Sequence, residues 1–415
     1  IDYKLSDLED ILDPTIFFRL NRSFIAHFDS IDRLFVFRPA LAFLFLSAFG
    51  ITASAQDSGF TTKAPHAVII DFETGDVLFE KEAREPMAPA SMTKIMTANM
   101  IFEALKNGTI TMDSEFRVSE EAWRRGGAAS GSSTMYLDVK STARVEDLIR
   151  GIIIQSGNDA CIVMAEGLAG SETAFADKMT ARARELGLES ATFRNATGWP
   201  HPEHKISAYD LAQLAQYMIT NHPEYYPIYN ERSFTWNNIK QGNRNPLLGK
   251  FTGADGLKTG STSVSGYGLV GSAKRGDERR IIVINGLASK QERSDVANRL
   301  MGAAFDQFKV YDLYAKDEIV GKVDVFMGKA ESVDVKIDEN VAMGLYRGDR
   351  SKISSKMTFK TVTAPIAAGD HIADMVISAP GRDDKTIPLY ATFDVKAKSA
   401  FGKAWTVLIR KIRGQ

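Results

Sequence analysis

The chain carries one cysteine, Cys161, so no disulfide can close within it and no thiol pair can serve redox exchange. The surrounding stretch "NDACIVMAEGL" reads as a buried helix, which makes Cys161 a core residue. Six histidines fall in no His-Glu-x-x-His or comparable metal-ligand spacing, so neither a metal nor any other cofactor is expected. Charge of one sign is also missing. With 51 basic and 52 acidic residues the net charge is −1, and no basic field speaks for nucleic acid. What remains is ordinary for a protein with a real core: 44% hydrophobic and 25% charged residues. At 415 residues two or three domains are expected.

The apolar run in "RPALAFLFLSAFGITASAQ" follows Arg33 and Arg38 and ends in Ala53-Ser54-Ala55. Its length and small-x-small ending fit a signal peptide over 38–55, giving an exported protein that starts near Gln56. Residues 1–37 precede it without an assigned function. About thirty of them resemble the end of a LytTR-type DNA-binding domain, and an upstream extension or fusion scar is expected there.

From 56 to about 310 the pattern predicts an α+β (α/β sandwich) domain, with helices packed on a sheet. "APHAVIIDFETGDVLFEKEA" reads as a hairpin about Glu73–Asp76, and "GYGLVGSA" and "RRIIVINGL" as strands joined by "KRGDE". "SAYDLAQLAQYMI" opens with Ser207 and Asp210 at capping-box spacing. A further helix carries Val296, Leu300, Met301, Ala304 and Phe308 on one face. Over 311–399, alternating stretches such as "SVDVKID" and "TIPLYATFDV" predict a small all-β domain. In "AFGKAWTVLIRKIRGQ" (400–415), Phe401, Ala404, Trp405, Leu408 and Ile412 share one helical face. Basic residues take the other. That fits a helix lying in a membrane surface, and it falls short of the about 20 apolar residues needed to span.

Three short motifs carry the chemistry. In "PASMTKIMT", Ser91 and Lys94 stand one helical turn apart, close enough to touch. Alone this is a helix cap beside a solvated lysine. Two later stretches change its meaning: Ser156-Gly157-Asn158, the chain's single Ser-x-Asn, and Lys258-Thr259-Gly260, its single Lys-Thr-Gly. A serine hydroxyl needs a nearby base to attack at neutral pH. Lys94 can be that base once burial and a neighbouring cation, expected to be Lys258, lower its pKa. Ser91 at a helix N-terminus has backbone N–H groups facing developing negative charge. Ser156 can relay a proton to the leaving amine, and Asn158 can hold the lysine and the substrate amide.

The ordered triplet is similar to the signature of penicillin-binding proteins and serine β-lactamases. Ser-Gly-Asn and the absence of a Glu-x-x-Leu-Asn segment depart from class A β-lactamases. Within the superfamily the chain most resembles the D-alanyl-D-alanine carboxypeptidases of the low-molecular-weight penicillin-binding proteins. The likeness runs from about Ala64 to Gln415. It includes "SGNDA", "FRNATGWPHPEHKISAYDLAQLA", "NPLLG" and "DGLKTGST". It implies peptidoglycan stem peptides as substrate, β-lactams as covalent inhibitors, and a location on the periplasmic face of the inner membrane. It also implies Lys258, Thr259 and Gly260 in substrate binding, the Ser261 backbone N–H as second oxyanion donor, and Arg293 on the substrate carboxylate. A D,D-endopeptidase, a weak β-lactamase and a non-catalytic cell-wall scaffold are the alternatives.

Overall fold

The computed structural model describes residues 60–402 except 360, 381, 383, 400 and 401. It also describes the backbone of a two-strand hairpin, Phe17–Asn21 with Phe24–His27. Ile1–Gln56 forms one unit and Asp57–Gln415 another. The expected signal peptide, and all but one residue of the 400–415 tail, lie outside the described residues.

The larger unit is organised by an antiparallel sheet of five strands: β1 (His66–Asp71), β2 (Val77–Lys81), β3 (Ala254–Thr262), β4 (Gly266–Arg275) and β5 (Glu278–Leu287). Their order is β2-β1-β5-β4-β3. The first and last strands of the sheet thus meet in its middle, where β1 pairs with β5 from Asp71↔Arg280 to His66↔Asn285. Both strands read as unbroken apolar runs because both faces are covered. Ile281, Ile282, Val283 and Ile284 are fully buried, each contributing about 2 kcal/mol of apolar burial.

The two faces pack against different helices. Val68, Ile70, Ile281 and Val283 join a core with α1 (Lys94–Lys106), α2 (Asn158–Ala169) and α3 (Ala208–Asn221). Ala67, Ile69, Ile282 and Ile284 meet α4 (Lys290–Asp306) on the other side. This is the period-2 alternation of a strand, used twice. Phe308, placed by its spacing on the α4 face, is instead the first residue of the strand Phe308–Tyr314. It stays buried because that strand continues under the same core, with Phe60 and Phe79 around its ring.

Ser207 caps α3 by accepting from the Asp210 N–H at 3.0 Å. The return half of the capping box is relayed. Asp210 accepts from Ser190 Oγ at 2.5 Å, and Ser190 Oγ accepts from the Ser207 N–H at 2.8 Å. A nearby hydroxyl satisfied both groups, so the shorter aspartate never had to reach back.

Beyond α4 the chain is β-rich. A six-stranded sheet and the antiparallel pair Phe308–Tyr314 with Val341–Tyr346 share one apolar core. Asp76, in the β1–β2 turn, accepts from the Gly344 N–H at 2.9 Å and ties the two regions together.

Candidate active site

Ser91 sits in a tight turn, Ala90–Thr93, that runs straight into α1. Helix α1 is buried nearly all round, and even Lys94 is 1% exposed. An amine there must find partners or lose its charge. Its Nζ lies 3.0 Å from Ser91 Oγ, 2.7 Å from Asn158 Oδ1 and 2.6 Å from the Thr197 carbonyl. A neutral amine keeps two N–H bonds and one lone pair. The two shorter contacts, both to acceptors that cannot donate, take the N–H groups and leave the lone pair facing the Ser91 hydroxyl. Burial lowers the Lys94 pKa from 10.5 to about 8, with Arg244 pushing the same way and Cys161, Asp159 and Glu172 opposing.

The second motif stands at a helix junction. A π-helical turn, Gly151–Gln155, ends at Ser156, whose φ of 62° turns the chain into α2. Ser156 is buried and its Oγ accepts from Lys258 Nζ at 3.0 Å. Asn158 opens α2. Its carbonyl oxygen holds Lys94, and its amide donates to Ser132 Oγ at 3.0 Å.

The third motif lies on β3, the edge strand of the sheet, which runs alongside the Ser91 turn. Gly260 explains its own presence there. A Cβ at this position would come within 2.7 Å of the Pro89 carbonyl oxygen, so only glycine lets the strand lie this close to the turn that bears Ser91. Lys258 and Thr259 are buried, while Ser261 faces out beside Tyr267. Arg293, in the first turn of α4, is 7% exposed and its guanidinium lies over the Tyr267 ring at 5.8 Å. Among the described residues its Nε has no hydrogen-bond partner. A buried guanidinium donor without an acceptor is what an incoming carboxylate would complete.

All three motifs therefore meet around one hydroxyl. Arg244 joins burial in lowering the Lys94 pKa, and the Lys258 pKa is itself pushed well down by burial, then by Lys94 and Arg244. Two amines in one dry pocket resist charging together. Arg244 was missed by sequence reasoning, as were the loops that complete the site. Arg244 donates to Ser133 Oγ at 2.5 Å, holding it to the loop that carries Ser132. The Thr197 carbonyl is presented by a turn in which Asn195 Oδ1 accepts from the N–H groups of Thr197, Gly198 and Trp199. Cys161 is buried in α2 with its thiol pKa pushed up to about 12 by burial, which keeps it unreactive. No group of three or more acidic, histidine or cysteine residues among the described residues could hold a metal ion. A cavity of about 570 Å³, lined by Arg125, Glu172, Arg194 and Trp199, shares the 194–199 segment but includes none of the motif residues.

The family model for D-alanyl-D-alanine carboxypeptidase (Peptidase S11) matches residues 51–288, more than half of the chain. The chain belongs to this carboxypeptidase family. A second model, the C-terminal domain of penicillin-binding protein 5, matches residues 308–397. Among curated relatives of these carboxypeptidases, DacF of Bacillus subtilis is 35% identical, covering 84% of this chain and 90% of that one. DacC of Escherichia coli is also 35% identical, covering 89% and 94%. Among solved structures, the carboxypeptidase DacD of Francisella tularensis superposes with a TM-score of 0.73 at 29% identity, over 82% of this chain and 95% of that one. Penicillin-binding protein 5 of Haemophilus influenzae gives 0.67 at 32% identity, over 81% and 98%.

Proposed function

We propose that Ser91 carries out the D-Ala-D-Ala carboxypeptidase reaction of this family on peptidoglycan stem peptides, by acyl transfer in two steps. The observation that carries the reading is the 3.0 Å contact between Ser91 Oγ and a fully buried amine whose other contacts fix its lone pair on that hydroxyl. Neutral Lys94 takes the Ser91 proton as Oγ attacks the carbonyl between the last two D-alanines. The oxyanion is met by the backbone N–H groups of Ser91 and Ser261. The proton taken up by Lys94 moves on through Ser156, hydrogen-bonded to Lys258, to the departing amine, and D-alanine leaves. Water then releases the shortened peptide and restores the hydroxyl.

Specificity for a chain end follows from Arg293, a buried guanidinium suited to bidentate binding of the terminal carboxylate. Lys258, Thr259 and Gly260 line the strand along which the peptide lies, and Asn158 holds its amide. β-Lactams present a strained amide and a carboxylate to the same groups and acylate Ser91. Release of D-alanine from a D-Ala-D-Ala-terminated pentapeptide tests the assignment. The wild type should release it and Ser91→Ala should not. Release by Ser91→Ala would remove Ser91 from the mechanism.

The enzyme acts outside the cytoplasm, on the cell wall. We further infer that its all-β module, built as a small sandwich, leads into an amphipathic helix at 400–415 that lies in the periplasmic face of the inner membrane. The tail's four basic residues beside an apolar face support this. Deleting 400–415 should free the exported protein from membranes with catalysis intact. Undiminished membrane retention would contradict the anchor.

A further inference from the structure

Asp159 follows directly after Asn158 and plays no part in the steps above. It is fully buried, and among the described residues every hydrogen bond of its carboxylate falls on two places. One oxygen accepts from the Met135 N–H at 2.8 Å and from the Ala160 N–H at 3.0 Å in its own helix. The other accepts from Thr134 Oγ1 at 2.7 Å and the Leu137 N–H at 3.1 Å. A carboxylate with four donors at the start of α2 thus clamps residues 134–137. The two residues just before this clamp are Ser132, which accepts the Asn158 amide, and Ser133. The Ser133 hydroxyl accepts from Arg244, and its carbonyl accepts from the Asn158 N–H at 2.8 Å.

We propose that Asp159 is a positioning residue for acyl transfer: it fixes the 132–137 segment so that Ser132 and Ser133 hold the Asn158 amide and the Arg244 guanidinium against Lys94 and the substrate. This rests on the reading of Ser91 and Lys94 as nucleophile and base. Bulk hydrophobic packing could hold such a loop in place, but it could not supply acceptors for three loop donors at once. Nor could it set a negative charge beside the base. Lys94 is faced by Asp159 and Cys161 from α2, Glu172 from the next helix, Arg244 from its loop, and Lys258 and His204. Of these, Asp159 is among the groups that help Lys94 keep its proton.

The test is the rate of acylation by a fluorescent penicillin in Asp159→Asn, measured across pH. Asparagine keeps the shape but turns one acceptor oxygen into a donor facing donors. Acylation should fall roughly tenfold to a hundredfold, the loss that accompanies a shift of a catalytic group by about an ångström. The acid limb of the pH profile should also move to lower pH, because a charge that holds the Lys94 proton is gone. A purely structural lesion would lower the rate and leave the limb in place. A wild-type rate, or a lowered rate with an unmoved limb, overturns the proposal. Should Asp159→Asn fail to fold, Thr134 decides. Thr134→Ser keeps the clamp hydroxyl and should acylate like the wild type, whereas Thr134→Val should be slower by several-fold. Equal rates for the two Thr134 variants overturn the proposal. Failure of the wild type itself to be acylated would refute the nucleophile assignment, which is a separate result from a fast Asp159→Asn.

Discussion

Gly198→Ala is a single added methyl group with a consequence that can be worked from the structure. Gly198 has a φ of +86° and follows Thr197, whose carbonyl accepts from Lys94. A Cβ there would lie 1.9 Å from the Ala90 carbonyl oxygen and 2.9 Å from Thr93 Oγ1. Both belong to the turn that bears Ser91. Real Cβ atoms do not approach closer than 3.0 Å, so the loop and the turn must part by about an ångström. Both touching groups are short, the first being backbone, and neither can swing aside. The left-handed backbone adds about 1 kcal/mol for alanine, and overlap in a packed site typically adds 1–3 kcal/mol more. Stability should therefore fall by about 2–4 kcal/mol. Acylation should fall by about a hundredfold because the Thr197–Lys94 contact opens and the lone pair loses its direction. Urea unfolding followed by stopped-flow acylation on the folded fraction separates the two effects. Acylation at the wild-type rate in folded Gly198→Ala would refute the claim that Thr197 orients the base.

Acylation should rise about tenfold per pH unit on the acid side and level off near pH 8, because Lys94 must be neutral and burial brings its pKa to about 8; a flat profile from pH 5 to 10 would contradict its role as base. Arg293→Ala should cut kcat/KM for a peptide with a free terminal carboxylate by about a hundredfold and leave a C-terminally amidated peptide nearly unaffected; equal losses on both would remove Arg293 from carboxylate binding. His204 accepts from the Arg194 N–H at Nδ1 and so donates from Nε2 to Thr93 Oγ1, and burial lowers its pKa to about 4. The unfolded chain takes up that proton below about pH 6.5 and the folded one resists, so His204 costs nothing above about 6.5 and about 3 kcal/mol of stability is lost on descending to about pH 4. His204→Gln should flatten that part of the urea-midpoint profile, and an unchanged slope would contradict it.

Regular elements were legible because burial writes a period into the chain. The β1–β2 hairpin, β4 and β5, α3 and most of α4 follow their apolar spacing. Phe308 shows the limit: helical spacing ran on by one residue after the hydrogen bonding had changed to a strand, and either element buries that ring. Ser91, Lys94, Ser156, Asn158 and Lys258 were legible for a different reason. Each combination has a spacing in which residue types and geometry are tied together. Arg244, Asn195 and Asp159 carry no such spacing. Their partners lie in loops brought together by packing, with Arg244 and Ser133 separated by 111 positions. The charge balance within the pocket was likewise hidden, since it depends on which charged groups packing gathers there once water is gone.

The central claim is that Ser91 is made nucleophilic by the uncharged Lys94. Intact-mass and peptide-mapping spectrometry after exposure to penicillin tests it most directly. The account predicts one added penicilloyl group, carried on the peptide containing Ser91, in the wild type, and none in Ser91→Ala or Lys94→Ala. A penicilloyl group on any other residue, or full labelling of Lys94→Ala at neutral pH, would contradict it.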